Sequence, residues 1–166
     1  MAKPLNIVVA CSENRVIGRA GQLPWRILED WHHFKRLTAE STVILGRISF
    51  ESWKSIHDAQ RHAIVLSRNQ ALAGPRVSVA DSLNDALVKA QAPDLPRSIF
   101  ICGGQRIFEE AVKLPQVERL FLTLVHAQLE GDRTFPEWKN EFPRRLERRD
   151  GSDQNFSYSF YTLARQ

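Results

Sequence analysis

Residues 98–114 read SIFICGGQRIFEEAVKL. A continuous apolar run, a glycine pair and a segment of helical periodicity follow one another without a break. An apolar run of this length suits a strand buried on both faces, as in a parallel sheet. The glycines let the backbone turn sharply and approach another group closely. A strand that turns directly into a helix is the building unit of parallel α/β sheets, because parallel neighbours need a crossover connection. The pattern recurs along the chain. Apolar segments lie at LNIVVAC (5–11), TVILG (42–46), HAIVLS (62–67), RVSVA (76–80), RLFLTLV (119–125) and FSYSFYTLA (156–164). Helical patterns fall at 27–38, about 47–54, 81–92 and 105–114, with Asp81 or Ser82 placed to cap the third. The later part of the chain has strands with no helix between them, and FSYSFYTL alternates as an antiparallel strand does. The expected fold is one α/β domain over residues 1–166. It has three layers, with a mostly parallel sheet of about eight strands, antiparallel C-terminal strands and about four flanking helices.

Composition bounds the function classes. The chain has 166 residues, 43% hydrophobic and 25% charged, which is ordinary for a soluble globular domain. Its apolar runs are too short to span a membrane, and the N-terminus lacks the pattern of a signal peptide. Cys11 and Cys102 both sit inside apolar runs, which suits free buried thiols in a reducing compartment, so a cytoplasmic location is expected. The net charge of +4 is compatible with an anionic ligand or nucleic acid. The densest basic cluster, PRRLERRD (143–150), is interrupted by Glu147 and Asp150 and carries no aromatic residue. It reads better as a solvated strand or loop than as a nucleic-acid surface. Nothing marks a subunit interface, so a monomer is expected.

The segment LPWRILEDWHHFKRLT (23–38) holds adjacent acids, Glu29 and Asp30. On a helix advancing about 100° per residue, Ile27, Trp31, Phe34 and Thr38 share one arc and Asp30 projects into it. Glu29 points the other way, beside His32, His33 and Arg36, where weak contacts with the two histidines are expected. An unpaired carboxylate on an apolar arc is costly. Asp30 is therefore either an N-terminal cap of the helix or the partner of a ligand that fills an apolar pocket. A flat heterocycle with two N–H donors would suit it. Burial would also raise its pKa into the range of acid–base chemistry. His32 and His33 are adjacent and diverge on a helix, so no metal site is expected.

Three strand ends carry features that suit phosphate. In ILGRISF (44–50) a glycine leads into a helix, with Arg47 and Ser49 beside it. Ser67 and Arg68 follow the strand at 62–67, and Arg106 lies in the first turn after Gly103 and Gly104. Ligands of α/β folds bind at the carboxyl ends of strands, and helix N-termini favour anions. A glycine at such a turn is also common for packing alone. Three junctions, each with an arginine, favour a ligand with several phosphates. None has the G-x-G-x-x-G spacing of a Rossmann domain.

Taken together, ENRVIGRAGQLPW (13–25), EDWHHFK (29–35), VILGRISFES (43–52), ICGGQRIFEE (101–110), LTLVHAQLEGDRTFP (122–136) and YSFYTL (158–163) resemble the bacterial type of dihydrofolate reductase. The resemblance runs in order from about residue 5 to 164. It implies NADPH-dependent reduction of 7,8-dihydrofolate to tetrahydrofolate, with hydride passing from nicotinamide C4 to pterin C6. Asp30 would bind the pterin edge and support protonation at N5, and Thr123 would brace it. Val9, Ala10 and Cys102 would lie beside the pterin, with carbonyls of Ala10 and Cys102 near both rings. Trp31, Phe34, Phe50 and Trp53 would form the walls, and Arg61 would grip the glutamate α-carboxylate. Residues 12–27 resemble a loop that closes over the nicotinamide, with Ile17, Gly18, Leu23 and Trp25 lining it and Asp132 supporting the closed state. Arg47, Ser67 and Arg68 would meet the cofactor 2′-phosphate. Ser49, Gly104, Gln105 and Arg106 would meet the pyrophosphate, with Gly46, Ile48, Leu66, Gly103, Ile107 and Phe108 alongside. A cis peptide between Gly103 and Gly104 is implied as well.

The sequence departs from the family pattern in places. Phe108 stands where a tyrosine is common, and Ile48 replaces a polar or basic residue. KSIHDAQR (54–61) replaces a segment that often reads LPGR, which changes the approach to Arg61. Trp31 and Trp53 are bulky for wall positions, which predicts altered affinity for antifolates such as trimethoprim and methotrexate. Two other functions compete: the riboflavin-pathway pyrimidine reductase, which shares fold and cofactor, and a folate- or nucleotide-binding protein without catalysis.

Overall fold

The computed structural model describes residues 2–166. The described residues form ten strands and four α-helices, and the seven apolar runs and four helical patterns of the sequence each fall on one of them. In chain order they are β1 (Leu5–Ser12), β2 (Val16–Gly18), α1 (Leu28–Thr38), β3 (Thr42–Gly46), α2 (Arg47–Ser52), β4 (His62–Leu66), β5 (Val77–Ala80) and α3 (Leu83–Ala90). There follow β6 (Ile99–Gly103), α4 (Gln105–Ala111), β7 (Val117–Val125), β8 (Arg133–Thr134), β9 (Arg144–Ser152) and β10 (Ser157–Ala164).

Eight strands form one sheet in the order β5-β4-β3-β6-β1-β7-β10-β9. The pairings from β5 to β7 are all parallel, and β10 runs antiparallel to both β7 and β9. The short β2 and β8 make a separate antiparallel pair. Sequence reading did not find β2 and β8, which are too short to carry periodicity. The basic run at 143–150 is the edge strand β9, exposed along almost its whole length.

Alternation along the strands divides the core between two faces of the sheet. One face joins Ile7, Ile44, Ile64, Ile99, Ile101 and Leu120 with the buried sides of α3 and α4. The other joins Val43, Leu45, Val65 and Val77 with Trp53, Ile56 and the partly buried Phe34 and Phe50. This gives the three expected layers. Ser82, not Asp81, caps α3: its side chain accepts from the Asp85 amide at 3.0 Å.

Arg165 fastens the end of the chain. Its guanidinium donates to the carbonyls of Val117 (2.8 Å), Val112 (2.8 Å), Leu114 (2.6 Å) and Glu141 (3.4 Å). It also lies 4.3 Å from the ring centroid of Phe142. One planar side chain thus satisfies carbonyls from the turn after α4, from β7 and from the loop before β9. Arg165→Ala is expected to destabilise the fold by about 2–3 kcal/mol. The change should lower the urea midpoint without changing the slope.

Candidate active site

The parallel strands point their carboxyl ends at one edge of the sheet, and a cleft of about 1520 Å³ opens there. α1 forms one wall, the strand-to-helix junctions after β3 and β6 form another, and the segment around β2 reaches over both. A cavity of this size exceeds a typical single-ligand pocket of roughly 300–1,000 Å³.

Asp30 is the chemical centre of the α1 wall. It sits in the first turn of α1 and is 8% exposed. It does not cap the helix, because the N-cap position is Ile27 and no side chain caps it. Burial pushes the Asp30 carboxyl up to about 6, against a lowering hydrogen bond from the Thr123 hydroxyl. Thr123 is itself buried, on β7 opposite Phe160 of β10.

Glu29, the next acid along, is held from outside the helix. It accepts from Tyr158 Oη at 2.7 Å and from Arg149 Nη1 at 2.6 Å. These partners replace the helix histidine contacts expected from sequence, because β9 and β10 bring complementary groups to that side. His33 instead packs 4.4 Å from the Phe160 ring centroid, and its pKa falls to about 4. The causes are burial first and then the charges of Arg149 and Arg36, which makes it neutral at physiological pH.

The apolar wall is aromatic. Trp31 stacks on Phe34 at 5.7 Å, and Phe34 lies 4.8 Å from Trp53. Trp31, 38% exposed, and Phe34 line the cleft beside Asp30, whereas Ile27 and Thr38 of the same arc are buried. Trp53 lines the cleft only at its edge, being 7% exposed and packed into the core.

The phosphate-type junctions also converge. Gly46, Arg47, Ile48 and Ser49 line the cleft together with Leu66 and with Cys102 through Phe108. The Gly103–Gly104 peptide is cis. Gly103 has φ +126°, and a side chain there would meet the Phe108 ring at 3.3 Å, so glycine is required. Val9, Ala10, Ile17, Gly18, Leu23 and Trp25 complete the lining from the other side. Trp25 Nε1 is buried and has no partner among the described residues.

The loop that carries Leu23 and Trp25 is tied down on its early side. β2 pairs with β8, the Asp132 amide donates to the Gly18 carbonyl at 3.0 Å, and Asp132 Oδ2 accepts from the Ala20 amide at 3.2 Å. A Cβ on Gly131 would stand 2.5 Å from the Gly18 oxygen, so only glycine permits this approach.

Four expected residues stay outside the lining. Phe50 faces His57 edge-on at 6.2 Å. Ser67 Oγ accepts from the Asn69 amide at 3.0 Å, and Arg68 is exposed to solvent. Arg61 is 2% exposed. Its guanidinium donates to Thr38 Oγ1 (3.1 Å) and to the carbonyls of Lys35 (2.9 Å), Asp58 (2.8 Å) and Ser55 (3.5 Å). It therefore ties the last turn of α1 to the altered loop, and of its five N–H donors one on Nη2 is left free of these bonds. Among the lining residues that sequence reading missed are Gln22, Arg26, His33 and Asp81. Asp81 follows a strand end directly, so the rule used for the other junctions could have found it.

The dihydrofolate reductase family model matches residues 4–165 of this sequence. The chain belongs to the dihydrofolate reductase family. It is 36% identical to the type 3 dihydrofolate reductase of Salmonella typhimurium, covering 98% of each chain. It is 32% identical to the dihydrofolate reductase of Buchnera aphidicola subsp. Acyrthosiphon pisum, covering 97% of this chain and 99% of that one. In structure it matches a dihydrofolate reductase from Enterococcus faecalis complexed with NADP(H) and RAB-propyl. There the TM-score is 0.84 and the identity 29%, with 98% of this chain and 96% of that chain covered.

The Asp30 shift predicts a pH effect on stability with a definite sign. Its folded pKa of about 6 lies above the reference value of 3.8. Between these values the native state binds more protons than the unfolded one, so stability from this group is present below about pH 4 and is lost as pH rises through 6. The full effect is on the order of 3 kcal/mol. Asp30→Asn should accordingly be more stable than the parent by ~1–3 kcal/mol at pH 8 and similar to it at pH 4. Denaturant titrations at the two pH values check this.

Proposed function

We propose that the cleft is the active site of a dihydrofolate reductase, which reduces 7,8-dihydrofolate to 5,6,7,8-tetrahydrofolate with NADPH and so supplies one-carbon metabolism. The observation that carries the reading is Asp30, a carboxylate buried in an aromatic cleft with one hydroxyl beside it. Such a group binds a flat heterocycle through charge-assisted bonds to paired N–H donors. A pKa of about 6 also lets it hold a proton near neutral pH. In this reading Asp30 orients the pterin edge and supports protonation at N5. Thr123 fixes the carboxylate, and Ala10 and Cys102 offer backbone carbonyls. Trp31 and Phe34 flank the rings, with Trp53 and Phe50 packed behind them. Arg61 meets the glutamate α-carboxylate with its remaining donor.

The cleft also fits the cofactor. Glycines stand where a backbone must be approached closely, and Trp25 Nε1 is an unsatisfied donor on the lining. When bound, NADPH supplies the hydride that passes from nicotinamide C4 to pterin C6. Ser49, Gly104, Gln105 and Arg106 would hold its pyrophosphate; Arg47, Ser67 and Arg68 would hold its 2′-phosphate. Ile17, Gly18, Leu23 and Trp25 would exclude water as the loop closes, steadied by Asp132. We further read residues 1–166 as one domain, acting as a cytoplasmic monomer. No described helix is long and apolar enough to cross a membrane.

Purified protein is expected to oxidise NADPH only when dihydrofolate is added, and methotrexate or trimethoprim should arrest the reaction. Activity on the ribosylated pyrimidine of the riboflavin pathway instead would overturn the assignment. Asp30→Asn should lower kcat/KM for dihydrofolate at least ~100-fold at pH 7. In the parent enzyme kcat/KM should fall as pH rises above about 6, where Asp30 loses its proton. A flat profile together with an active Asn variant would remove Asp30 from the proton path.

A further inference from the structure

The register of the sheet aligns three strand ends. Gly46 of β3 pairs with Leu66 of β4, and Leu66 pairs with Ala80 of β5. The residues that follow are Arg47, Ser67 and Asp81, so these three emerge side by side, spaced by about 4.8 Å per strand. The Ser67 amide donates to the Ala80 carbonyl at 3.0 Å, which continues the alignment past the strand ends. Asp81 lines the same cleft as Arg47. Its carboxylate is exposed and has no hydrogen bond or ion pair among the described residues.

One cation of this corner is already paired. Arg47 Nη1 donates to both carboxylate oxygens of Glu51 at 3.0 Å. Asp81 adds a second carboxylate to the side of the cleft that Arg47 lines, and Arg68 follows Ser67 in the chain. A phosphate monoester carries about −1.5 to −2 charge at neutral pH, so Glu51 and Asp81 offset part of the attraction that the arginines offer it. In dinucleotide sites an acid at a strand end accepts the ribose 2′-hydroxyl, whereas an arginine accommodates the 2′-phosphate. This corner presents both.

We propose that Asp81 is a cofactor-specificity residue. Its carboxylate flanks the adenosine ribose, accepts the 2′-hydroxyl of NADH and opposes the 2′-phosphate of NADPH, which narrows the preference for NADPH. The proposal rests on the reading of Arg47, Ser67 and Arg68 as the 2′-phosphate corner. Asp81 does not cap α3 and none of the hydrogen bonds that build the fold uses its side chain, so both Asp81→Asn and Asp81→Ala should fold.

The test has a kinetic and a binding arm. In dihydrofolate reduction, each variant should raise the NADPH-to-NADH ratio of kcat/KM by about fivefold or more, through a lower KM for NADPH. By calorimetry, each should tighten adenosine 2′,5′-bisphosphate by about the same factor while leaving adenosine 5′-monophosphate unimproved. Added salt should shrink the difference, because the charges are exposed. If both nucleotides respond alike, or neither responds, Asp81 has no such role. A parent protein that binds both nucleotides but reduces no dihydrofolate would overturn the active-site reading instead, and the calorimetry would still decide the case of Asp81.

Discussion

Parallel pairing is the constraint on which the rest of this structure depends. Parallel neighbours cannot be joined by tight turns, so each strand must be carried back by a crossover. All of them therefore end at the same edge. From β5 to β7 every pairing is parallel, and that edge is where the cleft opens. Arg47, Asp81, Gly103 and Thr123 come from distant parts of the chain. They meet because each lies at or beside the end of a strand in this ladder. The antiparallel β9 and β10 close the sheet beyond β7 and supply Tyr158 and Arg149, which hold α1 through Glu29.

Much of this was legible in the sequence, because the signals are local. Runs such as IVVA and FICG have to be buried on both faces, and their spacing with helical segments leaves few other folds. Asp30 could be told from Glu29 by helical angle alone. Two alternatives that angle left open, a capping acid or a ligand acid, needed the structure: Ile27 occupies the cap position. Arg61 shows the opposite limit. Nothing local in KSIHDAQR says that a guanidinium will turn inward to meet Lys35 and Thr38, since those groups are brought by α1. Glu29 is similar, because its partners lie some 120 residues further on.

Asp30 also shows stability opposed by function. The fold would be sounder at neutral pH with an uncharged group there, since burial raises its pKa and one hydroxyl is its only side-chain relief. The same isolation makes a carboxylate useful toward a flat cation-like edge. Phe34, which packs against both Trp31 and Trp53, lines the same cleft as Asp30 and has no polar atom to offer its carboxylate. A polar wall would stabilise the carboxylate and weaken its chemistry together.

The edge strand β9 has a consequence outside the cleft. A free strand edge offers unpaired amides and carbonyls to any passing chain, and proteins guard such edges with charge. Here Arg144, Arg145, Glu147, Arg148, Arg149 and Asp150 all stand exposed on it. A second strand docking there would have to strip water from this row of guanidinium and carboxylate groups. Arg149 is also engaged by Glu29, so one of these charges doubles as a tie to α1. The arginine-rich segment thus makes edge-to-edge growth of the sheet costly.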